Sequence, residues 1–382
     1  MKQIYLDNGA TSFPKAPGVG QAMKDYIEKV GVNVNRSSYR ATAEAALSTL
    51  NVREDLCTLF GGGSDPSYAI FTSGVTMSLN MIMKGVLRSG DHLIISGMEH
   101  NAVARPAMQL EAAGVSVSIA PCDETGVLRL TEFEKLFTPQ TRLVVIQYAS
   151  NVSGTIQPIA EIGAICHRHG ALFTVDSAQA AGHFLFNMQA LQVDAMCFTG
   201  HKGLLGPSGI GGFVMNEAMN KALTPLIAGG TGSMSASLEM PPTLPDRYEA
   251  GTPNLPGIMG LGVALRYLME VGPDALHKRE MALTNRFLDG LHGNSHIRVP
   301  GPVDAKRRVG VISVDFLRQD NAEVAFQLEE QYGILTRCGL HCAPLAHKTL
   351  GTYPEGTVRF SVGYTTTEDE VDTAIQAIHS LS

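Results

Sequence analysis

The chain is poor in charge: 17% of its 382 residues are Asp, Glu, Lys or Arg, against roughly 25% in ordinary soluble domains. It has no surplus of positive charge, since 29 Lys and Arg face 36 Asp and Glu for a net charge of -7. That balance removes any chain-wide attraction for phosphate backbones or anionic lipid and argues against nucleic-acid binding. No run approaches the ~18 apolar residues that a membrane span needs, and the start, MKQIYLDNGA, reaches Asp7 before an apolar leader core could form. The expectation is therefore a cytoplasmic protein without membrane contact. Cysteine is sparse as well. Cys57, Cys122, Cys166, Cys197, Cys338 and Cys342 form no CxxC pair, which excludes a zinc knuckle and disfavours a disulfide scaffold. His167 and His169 lie two apart on an expected helix, facing different ways, so no metal site is expected there.

A length of 382 residues is enough for two domains or for one large domain with a satellite. From about 69 to 214, short apolar runs alternate with helix-like stretches: AIFT (69–72), HLIIS (92–96), VSVSIA (115–120), RLVVIQYA (142–149), ALFTVD (171–176), DAMCF (194–198) and GGFVM (211–215). Near-continuous apolar strands separated by helices predict an α/β, three-layer domain with a mostly parallel sheet. Residues 228–257 are rich in Gly, Pro, Ser and Thr and read as an irregular ordered loop. Beyond 258 the strands VGVISVDF (309–316) and TVRFSV (357–362) no longer alternate in long βα units. The expected division is a large domain over 15–257 and a smaller α+β domain over 1–14 and 258–382.

The chemistry-bearing residues concentrate at expected strand ends. Lys202, in TGHKGLLGPSGIGG (199–212), follows a buried strand, where desolvation favours the neutral amine. Asp176, in VDSAQ (175–179), ends a parallel strand on the side where open α/β sheets place ligands. A carboxylate there suits the pyridinium nitrogen of pyridoxal phosphate, although it would equally cap a helix. FTSGVTMSLN (71–80) runs from strand to helix, so amides at Gly74, Val75 and Thr76 and the Thr76 hydroxyl suit a phosphate, with Thr199 and His201 able to close the same site. The stretch lacks Walker spacing, so a nucleoside triphosphate is not its natural ligand.

With these motifs in order, the chain resembles the fold-type I, class V aminotransferase group of pyridoxal-phosphate enzymes. Within it the likeness is to the cysteine desulfurases and selenocysteine lyases of the SUF-like branch. It runs through YLDNGATSFP (5–14), NRSSYRATAEA (35–45), FTSGVTMSLN, GMEHNAVARP (97–106), SNVSGT (150–155), VDSAQ, TGHKGLLGPSGIGG, YEAGTPN (248–254), RCGLHCAPLAHKTLGT (337–352) and VRFSVGYTTTEDEVD (358–372).

The resemblance implies that Lys202 carries the cofactor, Asp176 partners its ring nitrogen, Gln179 and Asn151 bond its hydroxyl side, and His100 stacks on the ring and shuttles a proton. It implies a phosphate site of Gly74, Val75, Thr76, Thr199 and His201, completed by Thr252 of a second subunit in a homodimer with composite sites. Arg359 would clamp the substrate carboxylate, Asn151 would also meet substrate, and Arg337 would assist. Cys342 would be the nucleophile that takes sulfur from L-cysteine, or selenium from L-selenocysteine, leaving L-alanine and a persulfide for an acceptor protein. His341 and the two arginines are expected to favour its thiolate. Cys338, four residues earlier, has an open role: a resolving thiol or relay is one reading, a thiol without chemistry the other. Selenocysteine lyase, another class V lyase, epimerase or transaminase, and a binding protein that has lost its chemistry are the alternatives. Tyr39, Val75 and Thr366 depart from the group's usual histidine, threonine and asparagine.

Overall fold

The computed structural model describes residues 3–34 and 39–382. A seven-stranded sheet forms its centre, in the order Ala69–Thr72, Gly211–Met215, Ala195–Thr199, Leu172–Asp176, Thr141–Gln147, His92–Ser96 and Ser116–Ala120. All neighbours pair in parallel except Gly211–Met215, which runs antiparallel to the strands on both sides. Its inner strands are apolar on both faces because each face is covered. Ile94, Val144, Ile146 and Val175 join one core cluster, and Leu93, Ile95, Leu143 and Val145 the other. Every such side chain withdrawn from water contributes on the order of 2 kcal/mol.

Periodicity explains the covering helices. In Val75–Val86 the buried Leu79, Ile82, Met83 and Val86 follow the i, i+3, i+4, i+7 stripe that turns one face to the sheet. In Leu255–Val271, the Asn254 side chain accepts from the Gly257 amide, Pro256 sits in the first turn, and Gly272 ends the helix. Its Ile258, Leu261, Leu265 and Leu268 pack into the large core. The expected division at 257/258 therefore cuts a helix that belongs with the large sheet, and the change of layer comes after it. The long helix Arg40–Phe60 adds Val52, Leu56, Leu59 and Phe60 to the same core.

A second sheet is wholly antiparallel: Arg337–Gly339, Thr357–Ser361, Val311–Phe316 and Ile297–Arg298. Its own core includes Phe287, Ile312, Val314, Phe360 and Ile378. The final helix Glu368–Ser380 starts with a capping box between Thr367 and Glu370, worth about 1 kcal/mol. Ile4–Tyr5 pairs in parallel with Ile334–Leu335, so the N-terminal strand is anchored beside this second sheet. Between the two sheets Met98, Val152, Ala343, Ala346 and Leu350 form a small apolar seam. No helix among the described residues is long and apolar enough to cross a membrane.

Candidate active site

The carboxyl ends of the parallel strands open toward the second sheet, and the singled-out residues gather along that junction. Asp176 is the last residue of a central strand; its Oδ1 accepts from the Ala178 amide at 2.9 Å. Burial raises its pKa, opposed by the Ala178 amide and by Lys202. Lys202 lies three residues beyond the end of the adjacent strand Ala195–Thr199. Burial first, with Arg359 and Arg337 beside it, lowers its ammonium to about 8 against the opposing pull of Asp176 and Cys342. Such an amine exchanges a proton near neutral pH, as a nucleophile or base requires.

His100 caps the helix Asn101–Ala112: its Nδ1 accepts from the Ala102 amide at 3.0 Å. That bond fixes the ring and assigns the proton of the neutral imidazole to Nε2. Burial, then Lys202, Arg337, Arg359 and Arg105, hold it at about 4, so it is neutral at physiological pH. Asn151 donates from Nδ2 to the His341 carbonyl at 2.8 Å, while its buried Oδ1 has no partner. Gln179 donates to the Gly9 carbonyl at 2.9 Å. Arg359 is 1% exposed; it donates to Asp7 at 2.8 Å and to the Asn151 carbonyl at 3.2 Å, and its Nε is unpartnered. The motif YLDNGA thus supplies a counterion, Asp7, that the sequence reading did not single out.

At the other end of the sheet, Gly74 precedes the helix Val75–Val86 with φ 152° and lies against Thr199. A Cβ on Gly211 would come within 2.6 Å of the Gly74 Cα, so the antiparallel strand must carry glycine there for this turn to reach the lysine strand. The amides of Val75 and Thr76 head the helix, where no preceding carbonyl of the helix is available to accept from them. The Val75 side chain packs on the core below, which explains why losing a hydroxyl there leaves the amide donor intact. His201 keeps a buried Nδ1 without a partner, and its carbonyl receives Ser12 and Lys15. Thr252 stands apart from Lys202. It lines a cavity of about 970 Å³ with Arg53, Thr72, Ser73 and Glu249, flanked by the exposed Leu47, Leu50 and Ile227.

Cys342 closes the site from the second sheet. His341 and Cys342 have φ of 50° and 58°, two successive left-handed residues, a conformation that costs roughly 1–2 kcal/mol at each non-glycine position. The Asn101 amide donates to the Cys342 carbonyl at 2.7 Å, tying this turn to the helix that His100 caps. Arg337 approaches Sγ at 3.5 Å. Among the described residues Cys342 is the exposed cysteine; Cys57, Cys166 and Cys197 are buried and Cys122 is partly covered. Their thiol pKa values are all raised, first by burial.

One expectation fails here and one open reading is narrowed. The His341 ring is buried against Thr357 at 3.1 Å, and burial together with Arg359, His347 and Arg337 holds it neutral, so it brings no positive charge to the thiol. Cys338 alternates with Arg337 along one strand; Arg337 meets Sγ, whereas Cys338 packs into the second sheet's core. Strand geometry therefore turns Cys338 away from Cys342, and the relay is not built. Of the sequence departures, Tyr39 is exposed at the start of helix Arg40–Phe60, and Thr366 closes a turn by accepting from Gly363 at 2.9 Å.

Residues 4–373 match the family model Aminotransferase class-V. A probable cysteine desulfurase of Methanothermobacter thermautotrophicus is 32% identical over 96% of the chain and 92% of its own length. A cysteine desulfurase of Escherichia coli is 35% identical over 99% and 93%. The apo structure of a cysteine desulfurase from Thermococcus onnurineus superposes with a TM-score of 0.92 at 31% identity, covering 99% of this chain and 94% of that one.

Proposed function

The chain belongs to the class V aminotransferase family, and from that premise we propose that it is a cysteine desulfurase working with pyridoxal phosphate. The observation that carries this reading is the one exposed cysteine among the described residues, on a strained, tethered turn that lies within electrostatic reach of a lysine at about 8. The residues present also fit the cofactor. Lys202 offers an amine for an aldehyde, Asp176 a dehydrated carboxylate for a ring nitrogen, and the helix start at Gly74, Val75 and Thr76 amides for a phosphate. Thr199, His201, Asn151, Gln179 and His100 complete the wall, and the unpartnered Asn151 Oδ1 and His201 Nδ1 are polar atoms awaiting a ligand.

When bound, pyridoxal phosphate withdraws electrons from the carbon beside the substrate amine. The chain's own residues do the rest. Arg359, fixed by Asp7, presents its guanidinium to the α-carboxylate of L-cysteine, with Arg337 beside it. Lys202 takes the Cα proton, and neutral His100, held by the Ala102 amide, hands a proton on at Nε2. The Cys342 sulfur attacks the substrate sulfur; as the S–S bond forms the Cβ–S bond breaks with its electron pair left on the substrate carbon, which takes a proton and leaves as alanine, and Cys342 carries the persulfide to an acceptor protein. A homodimer completes the site, with Thr252 supplied across the large cavity whose apolar rim is Leu47, Leu50 and Ile227.

The deciding experiment quantifies alanine from L-cysteine and from L-selenocysteine, separately and under reductant, with cofactor-loaded wild type and Cys342→Ala. Alanine from cysteine that vanishes in the variant is the expected result. Alanine from neither substrate would sink the assignment.

A further inference from the structure

Behind Lys202 lies a polar cluster that the proposed reaction leaves unused. His183, four residues beyond Gln179, places Nδ1 2.6 Å from Oε2 of Glu280, which comes from the helix Pro273–Leu291 and is 4% exposed. The opposite edge of the same ring faces the residue after Lys202: a Cβ on Gly203 would lie 2.7 Å from His183 Nε2. A Cβ on Gly182 would overlap the Gly203 carbonyl, so the two loops meet backbone to backbone. A cavity of about 30 Å³ runs between them, lined by Lys202, Gln179, His183, Glu280 and Ser12, with room for about two waters. His277, one helical turn before Glu280, packs at a tilt against Phe184 and keeps a buried Nδ1 without a partner.

The three side chains have the composition of a metal site. The 2.6 Å contact is instead a hydrogen-bond length, too short for two ligands held at about 2.1 Å around one tetrahedral ion. It describes a close ion pair of a carboxylate and an imidazole, in which Oε2 makes no aligned hydrogen bond.

We propose that Glu280 and His183 form a positioning pair that controls, through the water cavity, the proton on Lys202. This rests on the reading of Lys202 as the cofactor lysine. Glu280 favours the imidazolium of His183 against its burial. The pair then presents a positive edge to the Lys202 loop and its negative end away from it, which disfavours a second positive charge on the amine. The other titratable or charged groups around Lys202 are Asp176, Arg359, Arg337, Cys342, His100 and His201; those around His183 are Glu280 and His277, the latter itself facing Asp274 on the same helix.

The test follows the rate at which the 382-residue chain, stripped of cofactor, binds pyridoxal phosphate, read from its visible absorption across pH. Neutral Lys202 is the reactive form, so Glu280→Gln and His183→Gln should each move the midpoint upward by about half a pH unit or more, slowing loading at neutral pH by about threefold. His277→Gln should leave it in place. An unmoved or lowered midpoint in either folded variant overturns the proposal, and thermal melts identify which variant is folded. Absence of a lysine-dependent band in wild type itself, judged against Lys202→Ala, would instead defeat the reading on which the proposal rests.

Discussion

The two ends of the site are built in opposite ways. Lys202 lies in a dense interlock of loops, with Gly182 against Gly203 and Gly200 against Gly206, among partly or fully dehydrated groups. Cys342 sits exposed on a short turn whose tethers are one backbone hydrogen bond to Asn101, one contact from Arg337, and the Asn151 bond to the preceding carbonyl. The difference teaches that the two jobs need different physics. Proton transfer near neutral pH needs an amine depressed by burial, and burial demands packed surroundings. A sulfur that must leave on a partner needs an open face, and local backbone strain holds it in place of packing.

The sharpest way to break this contrast is to remove each group. Lys202→Ala should lower alanine formation by about a thousandfold or more and abolish the cofactor's visible band. Cys342→Ala should lower desulfuration by about a hundredfold or more yet leave the band intact and stability within about 0.5 kcal/mol, because its side chain is exposed. Absorbance, alanine yield and thermal melts on both variants check this; a Cys342→Ala protein that loses its cofactor would erase the division of labour.

Glycines sharpen the same comparison at smaller scale. Gly182→Ala places a methyl onto the Gly203 carbonyl at φ 95°, so a backbone must move and the lysine loop with it. The expected cost is about 3 kcal/mol or more, with slowed cofactor loading. Gly339, on the cysteine side, also has positive φ at 103°, but nothing lies within 4 Å of its would-be methyl. Gly339→Ala should cost only about 1 kcal/mol of backbone strain and spare loading. Equal losses in denaturant melts of the two variants would show that the lysine loops are not the tighter end.

The legibility of the chain follows the same divide. Strands such as 69–72, 92–96 and 211–215 were readable to the residue, because apolar runs bounded by turn residues are local signals. The reversed direction of Gly211–Met215 was not, since pairing direction is set by partners far along the chain. The gathering of Lys202, Asp176, His100, Asn151 and Arg359 followed from motifs at strand ends and from the family resemblance. The Asp7 counterion, the neutrality of His341 and the turning of Cys338 into the second sheet's core depend on burial and strand alternation in three dimensions. Sequence spacing placed Cys338 near Cys342; the pleat decided that its side chain faces elsewhere.

The smallest effect concerns a buried acid on the lysine side. Glu99 is fully buried beside His100; its Oε1 accepts from Ser96 at 2.5 Å and from the Gln147 amide at 3.1 Å, while Oε2 has no partner. Burial raises it to about 8, with Asp176 adding to the rise and the Ser96 and Gln147 bonds opposing it. A carboxyl raised in the folded state stabilises the fold fully below its unfolded value near 4.5, and that contribution is lost as pH rises through about 8. Glu99→Gln keeps the shape and cannot ionise. Its melting temperature should therefore fall below that of wild type at pH 5, where the amide gains an unmatched N–H, and the gap should narrow or reverse by pH 8.5. A gap that stays constant between those values would mean that Glu99 ionises in the folded protein as readily as in the unfolded chain, because water reaches it. The lysine end would then be less dehydrated than its packing implies, and the contrast with the open cysteine end would rest on backbone strain alone.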